Sequence, residues 1–198
     1  MTSRDSQTWD AEAEAFDVEP DHGLHDPVVH DAWQSLLRSL VPPVPSRVAD
    51  LGCGTGSLAL VLAEDGHSVD GVDFSPEMIR RACAKAGTFP GVTFAVGDAS
   101  TPDLPPASYD VVLCRHVLWA LPDPAAALAR WVELLVPDGR VVLVEGSWST
   151  GGGLGAAQAV ALVEGAGLVA TLRPLPDEAY WGKRIDDERY AVLGKRRA

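Results

Sequence analysis

The sequence predicts an α/β fold: a mostly parallel sheet with helices on both faces, three layers in all. From residue 46 onward, short apolar runs alternate with segments of helical spacing. The loops between them are short, which favours parallel strands joined by helical crossovers. The first run, "VADLGCGTGSLAL" (Val48 to Leu60), passes straight into a glycine turn and then a helix. In such sheets ligands bind beyond the carboxyl ends of the strands, where the strand order reverses. Residues that carry chemistry are therefore expected at strand ends.

Residues 1–45 are rich in acids, His and Trp and close with "VPPVP". Trp33, Leu36, Leu37 and Leu40 have helical spacing, so the segment reads as one or two helices without an independent core, packed as a cap over the ligand edge of residues 46–198. "RVADL" is the first strand; Leu58, Val61 and Leu62 mark a helix that stops at Gly66. "HSVDGVDF" is the second strand. Ser75, Pro76 and Glu77 then supply an N-cap, a first-turn proline and an early acid, ahead of an apolar stripe of Met78, Ile79, Ala82 and Cys83. "GVTFAVGD" is the third strand, followed by a proline-rich loop, and "YDVVLCRH" is the fourth. Asp123-Pro124 opens a helix carrying Leu128, Trp131, Leu134 and Leu135; "GRVVLVEG" is the fifth strand, "LGAAQAVALVEGAG" a helix, and "LVATLRPL" and "ERYAVLGKR" the last two strands.

Composition narrows the partners. A 198-residue chain that is 46% hydrophobic suits one domain with a substantial core. No apolar run reaches the roughly 18–20 residues of a membrane span, and the acidic N-terminus lacks the order of a signal peptide. Cys53, Cys83 and Cys114 show no paired spacing, and no pair of histidines stands at i,i+4 with a third ligand, so neither a disulfide framework nor a metal site is expected. The expectation is a cytoplasmic monomer or homodimer. Acids outnumber Lys and Arg 28 to 16, a net charge of −12, which disfavours a phosphate backbone as partner and leaves small molecules.

The glycine turn refines that. Gly52, Gly54 and Gly56 follow G-x-G-x-G, whereas the dinucleotide fingerprint is G-x-G-x-x-G, and position 57 is Ser. Asp50 just ahead of the turn would repel a pyrophosphate. A ligand with cationic centres and no phosphate resolves the conflict, and S-adenosylmethionine is such a ligand. Gly52, Cys53 and Gly54 would let its amino-acid arm lie against the backbone while Asp50 faces the ammonium; alternatively, Asp50 only caps local backbone. Asp73 ends the second strand 21 residues after Gly52, where an acid can accept from both ribose hydroxyls. Asp98 ends the third strand, placed for the adenine amino group, and Phe74 and Met78 supply apolar surface for the adenine face.

With "VADLGCGTGSLAL", "VDGVDFSPEM", "VGDAS", "YDVVLCRHVLWALPDP" and "LLVPDGRVVLVEG" in this order, the chain resembles the class I (Rossmann-like) S-adenosylmethionine-dependent methyltransferases over about residues 46–198. The resemblance implies a seven-stranded sheet of order 3-2-1-4-5-7-6 with the last strand antiparallel. It also implies a methionine-arm site at Asp50 and the glycines, a ribose acid at Asp73 and an adenine contact at Asp98 with Ala99. The chain departs from fuller relatives in "GSWSTGGGLG", where many small-molecule methyltransferases insert a substrate lid, which shifts pocket-building to the N-terminal segment. The glycines of this stretch also predict mobility in the free protein.

The methyl acceptor is then expected to be a small molecule receiving a methyl on O, N or C. RNA or protein as acceptor, or a non-catalytic S-adenosylmethionine-binding regulator, are the alternatives. Arg115 ends the fourth strand and either meets the cofactor carboxylate or pairs with an acid of the N-terminal segment. His116 beside it is the candidate base or substrate-positioning group. His25 on the cap, Trp119, Trp148 in the short lid and Trp181 before the last strand are the candidate substrate contacts.

Overall fold

The computed structural model describes residues 3–149 and 151–197. Seven strands form a single sheet of order β3-β2-β1-β4-β5-β7-β6. They are β1 (Arg47–Leu51), β2 (Ser68–Asp73), β3 (Val92–Val96), β4 (Tyr109–Arg115), β5 (Leu135–Ser147), β6 (Val169–Pro174) and β7 (Glu188–Lys195). The first five run parallel, and β7 lies antiparallel between β5 and β6. The expected order and the antiparallel last strand are both found.

Alternation along each strand sends residues to two cores. On β4, Val112 and Cys114 join Leu128 and Trp131 of α6 (Pro124–Leu134) and Ala159 and Val163 of α7 (Ala156–Gly165). Val111 and Leu113 face the other way, into α3 (Pro27–Leu40) and α4 (Ser57–Glu64). Burial on both faces is why these strands read as continuous apolar runs.

The N-terminal segment holds three helices rather than one or two. Alpha-helix α3 is a full member of the sheet's outer layer: Val29, Trp33, Leu36, Leu37 and Leu40 pack with Val48, Val111 and Val142. Only α1 (Ser3–Phe16) and α2 (Pro20–Gly23) reach the ligand edge, α1 packing on α5 (Pro76–Ala86). On α5 the Ser75 hydroxyl accepts from the Met78 amide at 3.1 Å, the expected cap, worth about 1 kcal/mol. Cys83 departs from its expected stripe: it is exposed, because α5 turns only Met78, Ile79 and Ala82 inward. Leu135 belongs to β5 instead of the preceding helix, pairing with Tyr109 ahead of a register shift.

In the short stretch after β5 the chain folds back on the end of the strand. Ser147 pairs with Gly153, the Trp148 amide donates to the Gly152 carbonyl at 2.9 Å, and the Leu154 amide donates to Gly146 at 2.7 Å. The glycines serve close approach: a Cβ on Gly153 would stand 2.1 Å from the Gly146 carbonyl oxygen. No described helix is long and apolar enough to cross a membrane.

Candidate active site

Beyond the carboxyl ends of β1, β2, β4 and β5 lies a cavity of about 360 Å³. It straddles the reversal point between β1 and β4, where an open parallel sheet leaves a crevice. Residues after β1 and β2 line one end, residues after β4 and β5 the other, and α1 and α2 add Trp9, Phe16 and His22 from above.

The glycine turn is held by its neighbours. The Gly52 and Cys53 amides both donate to the Val72 carbonyl, at 2.7 and 3.1 Å. Gly52 has φ +78°, and a Cβ there would come within 2.3 Å of Val117 Cγ2, so only glycine fits. Phe16 lies over Gly54, 3.3 Å from where a Cβ would be. Cys53 lines the cavity, but burial pushes its thiol well above the ordinary value, leaving it unreactive at neutral pH.

Asp73 accepts from the Ser75 amide with Oδ1 and from the Gly54 amide with Oδ2, both at 2.9 Å. It thereby ties β2 to the glycine turn while lining the cavity beside Phe74 and Met78. Burial raises its pKa, the amides of Ser75 and Gly54 oppose the rise, and the nearby Asp10 adds to it. Asp50 is 2% exposed. Burial lifts its pKa to about 7, tempered by Arg115 and reinforced by Asp73.

Ala99 lines the cavity, its carbonyl fixed by the Trp131 indole at 2.7 Å. Asp98 lies outside the lining and accepts from the Ser100 amide at 2.8 Å. Arg115 is on the cavity wall with its guanidinium 5.1 Å from the Trp33 ring centroid. It donates to the backbone carbonyl of Asp21, so the core reaches up to the cap at this point. Asp17 makes a second tether, accepting from Thr55 Oγ1 at 2.5 Å and pairing with Lys85 at 2.7 Å. Asp10 makes a third, accepting from Ser75 Oγ at 2.5 Å and the Glu77 amide at 3.2 Å.

His116 lies at the far end in a left-handed conformation, φ +58°. Its ring meets Trp148 edge-on at 5.3 Å and stacks on Trp181 at 5.9 Å. Its Nε2 is buried and has no hydrogen-bond partner among the described residues. Burial first, then Arg115, Arg189 and His22, hold its pKa well below the usual imidazole range, so the ring is neutral. Trp119 donates to the His116 carbonyl at 2.9 Å and packs on Trp148, and both indoles line the cavity.

Two expected substrate contacts lie elsewhere. His25 is exposed and folds back against Gly23, and the cap histidine on the cavity wall is His22. Trp181 is 2% exposed and backs His116 from behind, its indole donating to the Leu175 carbonyl at 3.0 Å. Sequence reasoning also passed over Glu145. This carboxyl near the end of β5 is fully buried, and its Oε1 accepts from the Leu118 amide at 2.9 Å, bracing the loop that carries Val117 and Trp119. Burial raises its pKa to about 8. An acid near the end of an apolar central strand was the signal, the same one that picked out Asp50 and Asp73.

Residues 49–143 match the methyltransferase domain family. Nocamycin O-methyltransferase of Saccharothrix syringae is 33% identical over 133 residues, 61% of this chain and 46% of that protein. The chain spans about half the length of the curated relatives it matches. A solved complex between the Trm112 methyltransferase activator of Haloferax volcanii and its methyltransferase partner superposes with a TM-score of 0.74 at 22% identity, covering 96% of this chain and 98% of that one. Phosphoethanolamine N-methyltransferase 2 of Haemonchus contortus, solved with phosphomonomethylethanolamine and S-adenosylhomocysteine, gives 0.71 at 18% identity, over 85% of this chain and 53% of that one. At those identities the two structures speak for the fold. Strand order, glycine turn and the sequence match of the segment that carries them agree: residues 49–143 belong to the methyltransferase domain family, set in the class I S-adenosylmethionine-dependent methyltransferase fold.

Proposed function

We propose that the protein binds S-adenosylmethionine in this cavity and transfers its methyl group to an oxygen of a small molecule. The carrying observation is the pairing of two buried carboxylates, Asp50 and Asp73, around a glycine turn, with Arg115 the only lysine or arginine on the wall among the described residues. That donor set suits a ligand with an ammonium, a ribose diol and no phosphate. Asp50 would face the amino group, Asp73 the ribose hydroxyls, Arg115 the carboxylate, and Phe74, Met78 and Ala99 the adenine. When bound, the cofactor supplies a methyl group already activated by a sulfonium. The chain's own task is then to align the acceptor and exclude water.

The cap and the aromatic wall suit that task. Trp9, Phe16 and His22 roof the cavity, while Trp119 and Trp148 offer flat apolar surface to the acceptor. Enclosure by side chains favours a small acceptor over a polymer. The unpartnered Nε2 of His116 would accept a hydrogen bond from a donor group of the acceptor other than the reacting hydroxyl, holding that hydroxyl beside the methyl group. The O-methyltransferase activity of the relative from Saccharothrix syringae points to the same acceptor atom.

Calorimetry tests the cofactor reading. S-adenosylhomocysteine should bind at micromolar strength and NAD should not. Asp73→Ala removes charge-assisted bonds worth roughly 1.5–3 kcal/mol, about 10–150-fold in affinity. An unchanged affinity in that variant rules out the ribose assignment.

A further inference from the structure

We propose that His22, carried by the cap, takes the proton from the acceptor, while His116 only holds the acceptor in place. This rests on the small-molecule methyl-transfer reading above. Both rings line the cavity, from opposite layers of the protein.

The surroundings of His22 fix which nitrogen is basic. Its ring lies flat on Phe16, with centroids 4.2 Å apart and planes 15° apart. Its Nδ1 is 3.3 Å from the Phe16 carbonyl oxygen. A carbonyl only accepts, so Nδ1 carries the hydrogen and Nε2 holds the lone pair in the neutral ring. That Nε2 stands 3.7 Å from Asp21 Oδ2, too far for a hydrogen bond but close enough for the carboxylate to stabilise an imidazolium. Burial first and then Arg115 hold the His22 pKa below the ordinary imidazole value, while Asp21, the Phe16 carbonyl and Glu19 oppose that fall.

His116 has no such support. The charged and titratable groups acting on it are Arg115, Arg189 and His22, all of which disfavour a second positive charge. It accepts a hydrogen bond well and keeps a proton badly. His22 also has a route to discharge, since its side chain is 27% exposed.

The step balances without a further reagent. The acceptor hydroxyl gives its proton to His22 Nε2, and an oxygen lone pair forms the new O–C bond. The S–C bond breaks with its electron pair kept by sulfur, which becomes a neutral thioether. His22 then releases the proton to water.

Nitrogen-resolved imidazole NMR on the full chain saturated with S-adenosylhomocysteine, with 4-nitrophenol as the acceptor probe, tests the assignment. We expect His22 as the Nδ1–H tautomer, gaining its proton as pH falls, and His116 still neutral where His22 is protonated. We further expect bound 4-nitrophenol at pH 6.5 to show a raised phenolate fraction. In His22→Asn, which keeps a donor toward Phe16, the phenolate-to-phenol ratio should fall about tenfold, one pKa unit of proton affinity. His22 found as the Nε2–H tautomer, an unchanged ratio in His22→Asn, or a probe that perturbs neither histidine at millimolar concentration would each overturn the assignment. Failure of S-adenosylhomocysteine to bind would instead overturn the cofactor reading. The tautomer measurement uses the wild-type chain and does not depend on the variant's folding.

Discussion

Lowering the pH from 7 to 5 should weaken S-adenosylhomocysteine binding, and Asp50 sets the amount. In the free protein burial lifts this carboxyl to about 7, so at pH 7 it is half protonated. A cationic amino group beside it favours the carboxylate, so binding below pH 7 must expel the proton. Linkage then gives a roughly 50-fold loss of affinity between pH 7 and 5, with about 0.9 proton released per ligand at pH 6. The ligand's own amino group stays protonated over this range. Calorimetry in two buffers of different ionisation enthalpy counts the protons directly. Asp50→Asn should abolish both the proton release and the slope while weakening binding at pH 7. A wild-type affinity that is flat from pH 7 to 5, or a slope that survives in Asp50→Asn, would refute the reasoning.

Gly52→Ala combines a left-handed φ with a 2.3 Å approach to Val117. Urea denaturation should show a loss of at least about 1–2 kcal/mol, and an unchanged midpoint would mean the turn is looser than described. Glu145, at about 8 when folded, binds its proton more tightly folded than unfolded. Its contribution is therefore fully present below the ordinary carboxylate range and lost as pH rises to 8. Between pH 7 and 8 that amounts to about 1 kcal/mol, and Glu145→Gln should remove this fall from thermal melts of the free protein. Deleting residues 1–18 removes α1 but spares α3 and its core contacts. We expect a folded chain by circular dichroism, a modest loss of cofactor affinity, and near abolition of transfer to any acceptor the full chain methylates.

The sheet was legible because its signals are local. Strands buried on both faces must be apolar throughout, and glycine, proline and capping residues must stand where the chain turns, so Ser75 with Pro76 or Gly52 declares its place without reference to the rest of the fold. The errors fall where local signals compete. Cys83 fits an apolar stripe by spacing, but α5 lies at the edge of the sheet and needs only a narrow one. The glycines of 151–155 resemble a flexible linker by composition, and no local signal announces that Gly153 pairs with Ser147 close against the Gly146 carbonyl.

The site was more legible the closer each residue sits to a strand. Asp50 and Asp73 stand on strands, where a two-residue period fixes the direction of every side chain, and both reach the cavity. His22 and His25 sit on a short helix and the loop after it, where nothing in the sequence distinguishes the ring that turns inward. What decides between them is tertiary: Phe16 offers a flat face and a carbonyl to the first, and Gly23 gives the second room only against the backbone. The same holds for Arg115, which sequence left between the cofactor and an acid of the cap. It donates to the carbonyl of Asp21 rather than to a carboxylate, so the contact carries no residue-type signal. A backbone acceptor is available at every position, and only the path of α2 over the cavity selects this one. Because that same carbonyl precedes His22, the guanidinium that ends β4 positions the cap histidine over the cavity.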